Sequence, residues 1–134
     1  MISPPEDVEI IKFKKYIFWF DADGILCAKS LTRHPANLNE IKEFIDYFIE
    51  RLHGKKVCIL NDFSNISETN KEIRDYVNAE YPKIALAVAI ISKSPLGKMM
   101  ANLYFNLKHH SFPARIFTNE KEAKEWLEKY LKEG

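Results

Sequence analysis

The hydrophobic positions of this chain follow two periods, and the change falls near Asn37. Before it, Val8 to Phe13 alternates, with Val8, Ile10 and Lys12 on one side and Glu9, Ile11 and Phe13 on the other. That is the period of two imposed by a strand. After Lys14 and Lys15 comes Tyr16-Ile17-Phe18-Trp19-Phe20, an aromatic and strongly strand-forming run. Asp21-Ala22-Asp23-Gly24 then leads into Ile25-Leu26-Cys27-Ala28-Lys29-Ser30. An Asp-Gly pair between apolar runs predicts a hairpin, because glycine accepts the positive φ that a tight turn requires.

From Asn37 the period is helical. Leu38, Ile41, Phe44, Ile45, Phe48, Ile49 and Leu52 fall on one stripe, with Asn37 and Glu40 placed as a capping box and Gly54 as the stop. Val57-Cys58-Ile59-Leu60 reads as a strand covered on both faces. A second helix is expected from Ser67 to Glu80, capped by Ser67 and turning Ile73, Tyr76 and Val77 inward, with Pro82 ending it. Ile84 to Ile91 is a further buried strand. Ser94 and Pro95 open a third helix, whose core stripe is read as Leu96, Met99, Met100, Leu103, Tyr104 and Leu107. Pro113 to Thr118 forms the last strand, and Asn119 caps a final helix carrying Ala123, Trp126, Leu127, Tyr130 and Leu131. Strand and helix alternate after an opening meander. The pattern therefore predicts one α/β domain over residues 1–134, with an antiparallel start, a mainly parallel remainder and residues 1–7 as a flexible tail.

Composition narrows the function classes. Twenty basic and 19 acidic residues leave a formal charge of +1, without the excess expected of a general nucleic-acid binder. The longest apolar run, Ile84 to Ile91, is too short to span a bilayer. Met1 to Asp7 has no basic region leading into an apolar stretch, so no secretory signal is expected. Cys27 and Cys58 lie in apolar runs and read as reduced, buried thiols, which points to the cytoplasm. His34, His53, His109 and His110 have no metal-ligand spacing, and neither metal nor cofactor is expected.

The layout also carries a resemblance. The strand Ala85-Leu86-Ala87-Val88-Ala89-Ile90 runs into Ser94-Pro95-Leu96 and the helix with Ala101-Asn102-Leu103-Tyr104-Phe105. Phe112 to Thr118 and Glu120 to Leu127 follow, and Tyr16 to Leu26 matches a first hairpin turned by an acidic residue and Gly. This resembles the SpoIIAA-like branch of the small bacterial STAS/SEC14-type domains. The resemblance implies a compact, non-enzymatic regulatory domain, often a homodimer, that binds a protein partner or an apolar small molecule or lipid. In the wider family a Ser at a strand-to-helix junction is phosphorylated. Here Asn61 to Ser67 occupies that place without the family's Asp-Ser-Ser-Gly pattern.

Three sets of residues remain as chemical candidates. Ser64, Ser67 and Thr69 lie beyond the carboxyl end of an inner strand, where α/β sheets place ligands; they are candidate partner contacts or phosphosites, or simply turn and cap residues. Gly97, Ala101 and Phe105 recur every four residues beside the third helix's stripe, as either an interface or a wider buried face. Asp21-Ala22-Asp23-Gly24 matches the nucleophile loop of Mg²⁺-dependent dehalogenase-type phosphatases, with Asp21 as nucleophile and Asp23 as general acid. Ser92 or Thr118 and Lys93 or Lys98 would then complete the set, but a second acidic pair is missing beside Asp62. The hairpin reading is preferred, and no catalytic residue is assigned.

Overall fold

The computed structural model describes residues 2–32, 36–66, 69–105 and 112–132. Six strands form one mixed sheet in sequence order: β1 (Ile11–Lys12), β2 (Tyr16–Phe20), β3 (Leu26–Ser30), β4 (Val57–Asp62), β5 (Ala85–Ile91) and β6 (Ala114–Phe117). β1, β2 and β3 pair antiparallel, whereas β3 to β6 are parallel. The helices are α1 (Leu38–Leu52), α2 (Lys71–Glu80), α3 (Pro95–Phe105) and α4 (Glu120–Leu131), with a 3₁₀ turn at Tyr81–Lys83.

Stepwise crossovers in one direction put α1, α2 and α3 on the same face of the sheet. Their buried residues join Phe18, Ala28, Ile59, Val88 and Ile90 in the larger core. The opposite face carries α4, whose Ala123 and Leu127 pack on Trp19, Cys27, Cys58, Leu60, Ala87 and Ala89. β5 therefore sends its side chains alternately into two cores, which is why its sequence reads as an unbroken apolar run.

Local signals act as expected at most ends. Asn37 Oδ1 accepts from the Glu40 amide at 2.9 Å, and Glu40 Oε1 accepts from the Asn37 amide at 3.0 Å, closing the capping box of α1. Asn119 caps α4 in the same way through the Glu122 amide at 2.9 Å. Ser94 Oγ accepts from the Gly97 amide at 2.9 Å and opens α3.

Four expectations are corrected. α2 starts at Lys71, capped by Asn70 through the Ile73 amide at 2.9 Å; Ser67 lies outside the described residues. β1 is only two residues long, because the Phe13 amide turns back to the Tyr16 carbonyl at 2.8 Å. Ile2 is not part of a free tail: it is buried in the core under α4, and its amide donates to Asp62 Oδ2 at 3.0 Å. Finally, α3 is rotated relative to the expected stripe. Met100 and Tyr104 face the core as read, but they do so beside Gly97, Ala101 and Phe105, while Leu96, Met99 and Leu103 face outward.

Candidate functional site

Three places in the fold bear on function: the hairpin at one end of the sheet, a cavity toward the other end, and the outer face of α3.

At the β2–β3 hairpin, Asp21 Oδ1 accepts from the amides of Asp23 at 2.9 Å and Ile25 at 3.0 Å. The Gly24 amide donates to the Asp21 carbonyl at 3.0 Å, with Gly24 at φ 83. The other carboxylate oxygen of Asp21 lies 3.2 Å from Lys124 Nζ. All of the Asp21 carboxylate is thus engaged in holding a turn. The register pairs Phe20 with Leu26, Leu26 with Ile59 and Lys29 with Asp62, so Asp21 and Asp62 stand at opposite ends of the sheet. Ser92 follows β5 at the Asp62 end. The residues of the dehalogenase-type reading therefore form no single site. Among the described residues, no group of three His, Cys, Asp or Glu is placed to hold a metal ion.

The strand-to-helix junction after β4 is built by Asp62. One oxygen of its buried carboxylate accepts from the Ser64 amide at 2.8 Å and from the Ser64 hydroxyl, while the other accepts from Ile2. Ser64 is exposed, and Thr69 is half-buried with its hydroxyl 3.5 Å from the Asn70 carbonyl. Ser64 thus closes a turn. The structure does not bring Ser64 or Thr69 onto a surface shared with Gly97, Ala101 and Phe105, because those three are inside.

Beside this junction a cavity of about 50 Å³ opens between the sheet and α1–α3. Its floor is Phe18, Ala28, Ser30 and Asn61; its walls include Phe44, Val77, Tyr81, Tyr104 and Phe105, with Tyr16 and Ile66 also lining it. Asn61 Nδ2 donates to the Tyr81 hydroxyl at 3.2 Å. Burial pushes the Tyr81 phenol up to about 12, against a weaker lowering by the Asn61 hydrogen bond. Burial also raises Tyr16, helped by the neighbouring Tyr104 and Tyr81, and raises Tyr104 against the lowering effect of Thr69. These phenols stay neutral at ordinary pH. A space of this size holds about three or four non-hydrogen atoms, so it does not accommodate an acyl chain as it stands. The sequence pointed to Phe105 as a candidate contact and to Phe44, Val77 and Tyr104 as core positions, but not to a cavity; Asn61, polar at the end of Val57-Cys58-Ile59-Leu60, was the legible signal for one.

The third feature is the exposed row on α3: Leu96 at 45%, Met99 at 51% and Leu103 at 41%. Gly97, Ala101 and Phe105 form the opposite, inner side, with Phe105 only 2% exposed. Phe105 packs against Phe63 and Tyr81, at ring centroid distances of 5.8 and 5.4 Å. An interface using Phe105 is therefore replaced by a buried face. The two cysteines are buried and not joined in a disulfide, and burial pushes the Cys27 thiol up to about 12.

An ordered sheet with an antiparallel meander, three helices on one face and a fourth beneath defines a SpoIIAA-like α/β domain. The chain is similar in fold to the crystal structure of an uncharacterized protein from the DUF3478 family with a SpoIIAA-like fold, from Shewanella loihica PV-4. The TM-score is 0.60 at 14% identity, covering 95% of this chain and 98% of that one. By sequence the chain belongs to the family described as "Domain of unknown function (DUF7793)", whose model matches residues 18–131. No curated protein matches it. Among the described residues no helix is long and apolar enough to cross a membrane.

Proposed function

We propose that this is a non-catalytic regulatory or binding domain that docks a protein partner on the outer face of α3, and that the first such partner is a second copy of the chain. The observation that carries the reading is the row Leu96, Met99 and Leu103, large apolar side chains left at the surface of a helix whose other side faces the core. Clustered apolar groups of this kind mark interaction surfaces. The row spans about 10 Å of helix.

The spacing also suits self-association. Leu96, Met99 and Leu103 lie along one side of α3 at spacings of three and four residues. Two such helices crossing antiparallel about a two-fold axis set Leu96 of one copy opposite Leu103 of the other. Lys98 is the only charged residue between Pro95 and Phe105, so little like charge opposes the contact. Two buried thiols that are not joined in a disulfide support a reducing compartment such as the cytoplasm.

Light scattering across a concentration series, with wild type and Leu103→Glu, tests the reading. The wild type should approach the dimer mass and Leu103→Glu should remain monomeric with unchanged far-ultraviolet circular dichroism. A wild type that stays monomeric throughout removes the second copy as the occupant of this face.

A further inference from the structure

One row of side chains crosses the α1–α3 face of the sheet from edge to edge: Ile11, Phe18, Ala28, Asn61, Ile90 and Ile116. All are large and apolar except the adjacent pair Ala28 and Asn61, and the cavity stands over that pair. A small residue beside a polar one leaves both space and hydrogen-bonding capacity at the centre of an otherwise filled layer.

Asn61 is only 7% exposed. Its side-chain amide offers two N–H donors and an acceptor oxygen. One N–H is used by the Tyr81 hydroxyl. Among the described residues Oδ1 has no donor, yet it is not sealed from solvent-sized space, so it opens into the cavity. Buried amides are ordinarily satisfied, and one held open in this way marks a position for a ligand or water. The Tyr16 hydroxyl also lacks a hydrogen-bond partner among the described residues. Tyr81, having accepted from Asn61, still has its own O–H to donate.

Among the described residues the charged members of the lining are Lys29 and Asp62. Asp62 and Lys29 lie at alternate positions along their strands, so their side chains leave from the other face of the sheet. The Asp62 carboxylate is in any case taken up by Ile2 and Ser64. An ionised head group would lose its hydration here without gaining a counter-ion.

We propose that this cavity binds an uncharged small molecule through a carbonyl-bearing head group, with a carboxamide as the best match. Its N–H meets Asn61 Oδ1, and its carbonyl oxygen accepts from the free Asn61 N–H and from the hydroxyls of Tyr16 and Tyr81. Phe18, Phe44 and Phe105 enclose the apolar carbon beside the head group. The space of about 50 Å³ takes about three or four non-hydrogen atoms, which is the size of a carboxamide. The remainder of the molecule extends toward the half-buried Tyr16 and Ile66. The site is separate from the outer face of α3 and does not depend on the docking proposed there.

Titration of the full chain with isobutyramide, followed by ¹H–¹⁵N NMR, tests the site; isobutyrate serves as an anionic probe of the same shape. Isobutyramide should produce saturable shifts in the Asn61 side-chain amide and the Ala28 and Ser30 backbone amides, with isobutyrate binding more weakly. Tyr16→Phe keeps the ring and deletes only an unpartnered hydroxyl. It should bind isobutyramide about tenfold more weakly, the factor for one hydrogen bond to a ligand. Shifts that never saturate, equal binding of isobutyrate, or equal affinity in Tyr16→Phe would overturn the proposal and leave a cavity filled by water alone.

Discussion

Lys124 Nζ lies 3.2 Å from Asp21 Oδ2, and this contact ties the β2–β3 hairpin to α4. The two residues are distant in sequence, and their pairing explains why Asp21 is mostly buried although it sits in a turn. Asp21→Ala removes the ion pair together with the acceptor for two backbone amides. It should destabilise the fold by about 1–3 kcal/mol. Asp21→Asn retains an acceptor oxygen and loses only a partly exposed ion pair, so its effect should stay below about 1 kcal/mol. Urea unfolding of both variants checks the order; equal losses would mean that the two amide hydrogen bonds contribute nothing.

Gly97 owes its place to close approach. A Cβ there would come within 2.1 Å of the Ser92 hydroxyl and 3.2 Å of the Ser92 Cβ. Ser92 is fully buried, so it has little freedom to yield. Gly97→Ala is expected to cost about 1–3 kcal/mol by overpacking. In a Ser92→Ala background the cost should fall, because the nearest atom is gone. A double-mutant cycle measured by denaturant unfolding reads that coupling.

The α1 capping box should show in the pH dependence of stability. The hydrogen bond from the Asn37 backbone, followed by that from Lys15, lowers the Glu40 carboxyl from its ordinary value of 4.5. A folded value below the unfolded one means a stabilising contribution present above pH 4.5 and lost as the pH falls through the folded value. Wild type should therefore exceed Glu40→Gln in thermal stability at neutral pH, and the two should converge in acid. A gap that persists unchanged in acid would exclude the carboxylate as its source.

At alkaline pH the sign reverses. Tyr81 is raised from 10.0 to about 12 by burial, so between these values the folded state holds a proton that the unfolded state has released. Its contribution is complete below pH 10 and declines as the pH rises toward about 12. Phenolate absorbance should show a late-titrating group that Tyr81→Phe removes. The variant should also lose less stability than wild type between neutral and strongly alkaline pH.

Much of this fold was legible because its signals are local. Asn37 with Glu40, Ser94 with Gly97, and Asn119 with Glu122 each bond within one helical turn, and the Asp21 to Ile25 turn closes within five residues. The unbroken apolar character of β5 reported burial on both faces. The start of α2 was misread because Ser67 and Asn70 both suit a cap, and the cap hydrogen bond is made by Asn70.

The rotation of α3 was hidden for a different reason. Pro95 to Phe105 has only the narrow polar strip of Lys98 and Asn102, with large apolar residues on both sides of it, so the solvent side is weakly marked. The choice was made by close approach to Ser92, just beyond β5, whose side chain leaves room only for a hydrogen at position 97. That choice buried Phe105 and exposed Leu96, Met99 and Leu103. The cavity was equally inaccessible from sequence, since Tyr16, Asn61, Tyr81 and Tyr104 converge from four separate elements. Periodicity, caps and turn chemistry thus determined the elements and their order, because those forces act within a few residues. Only tertiary packing decided which face of α3 meets water and where the sheet layer is left unfilled, because both depend on contacts between residues far apart in the chain.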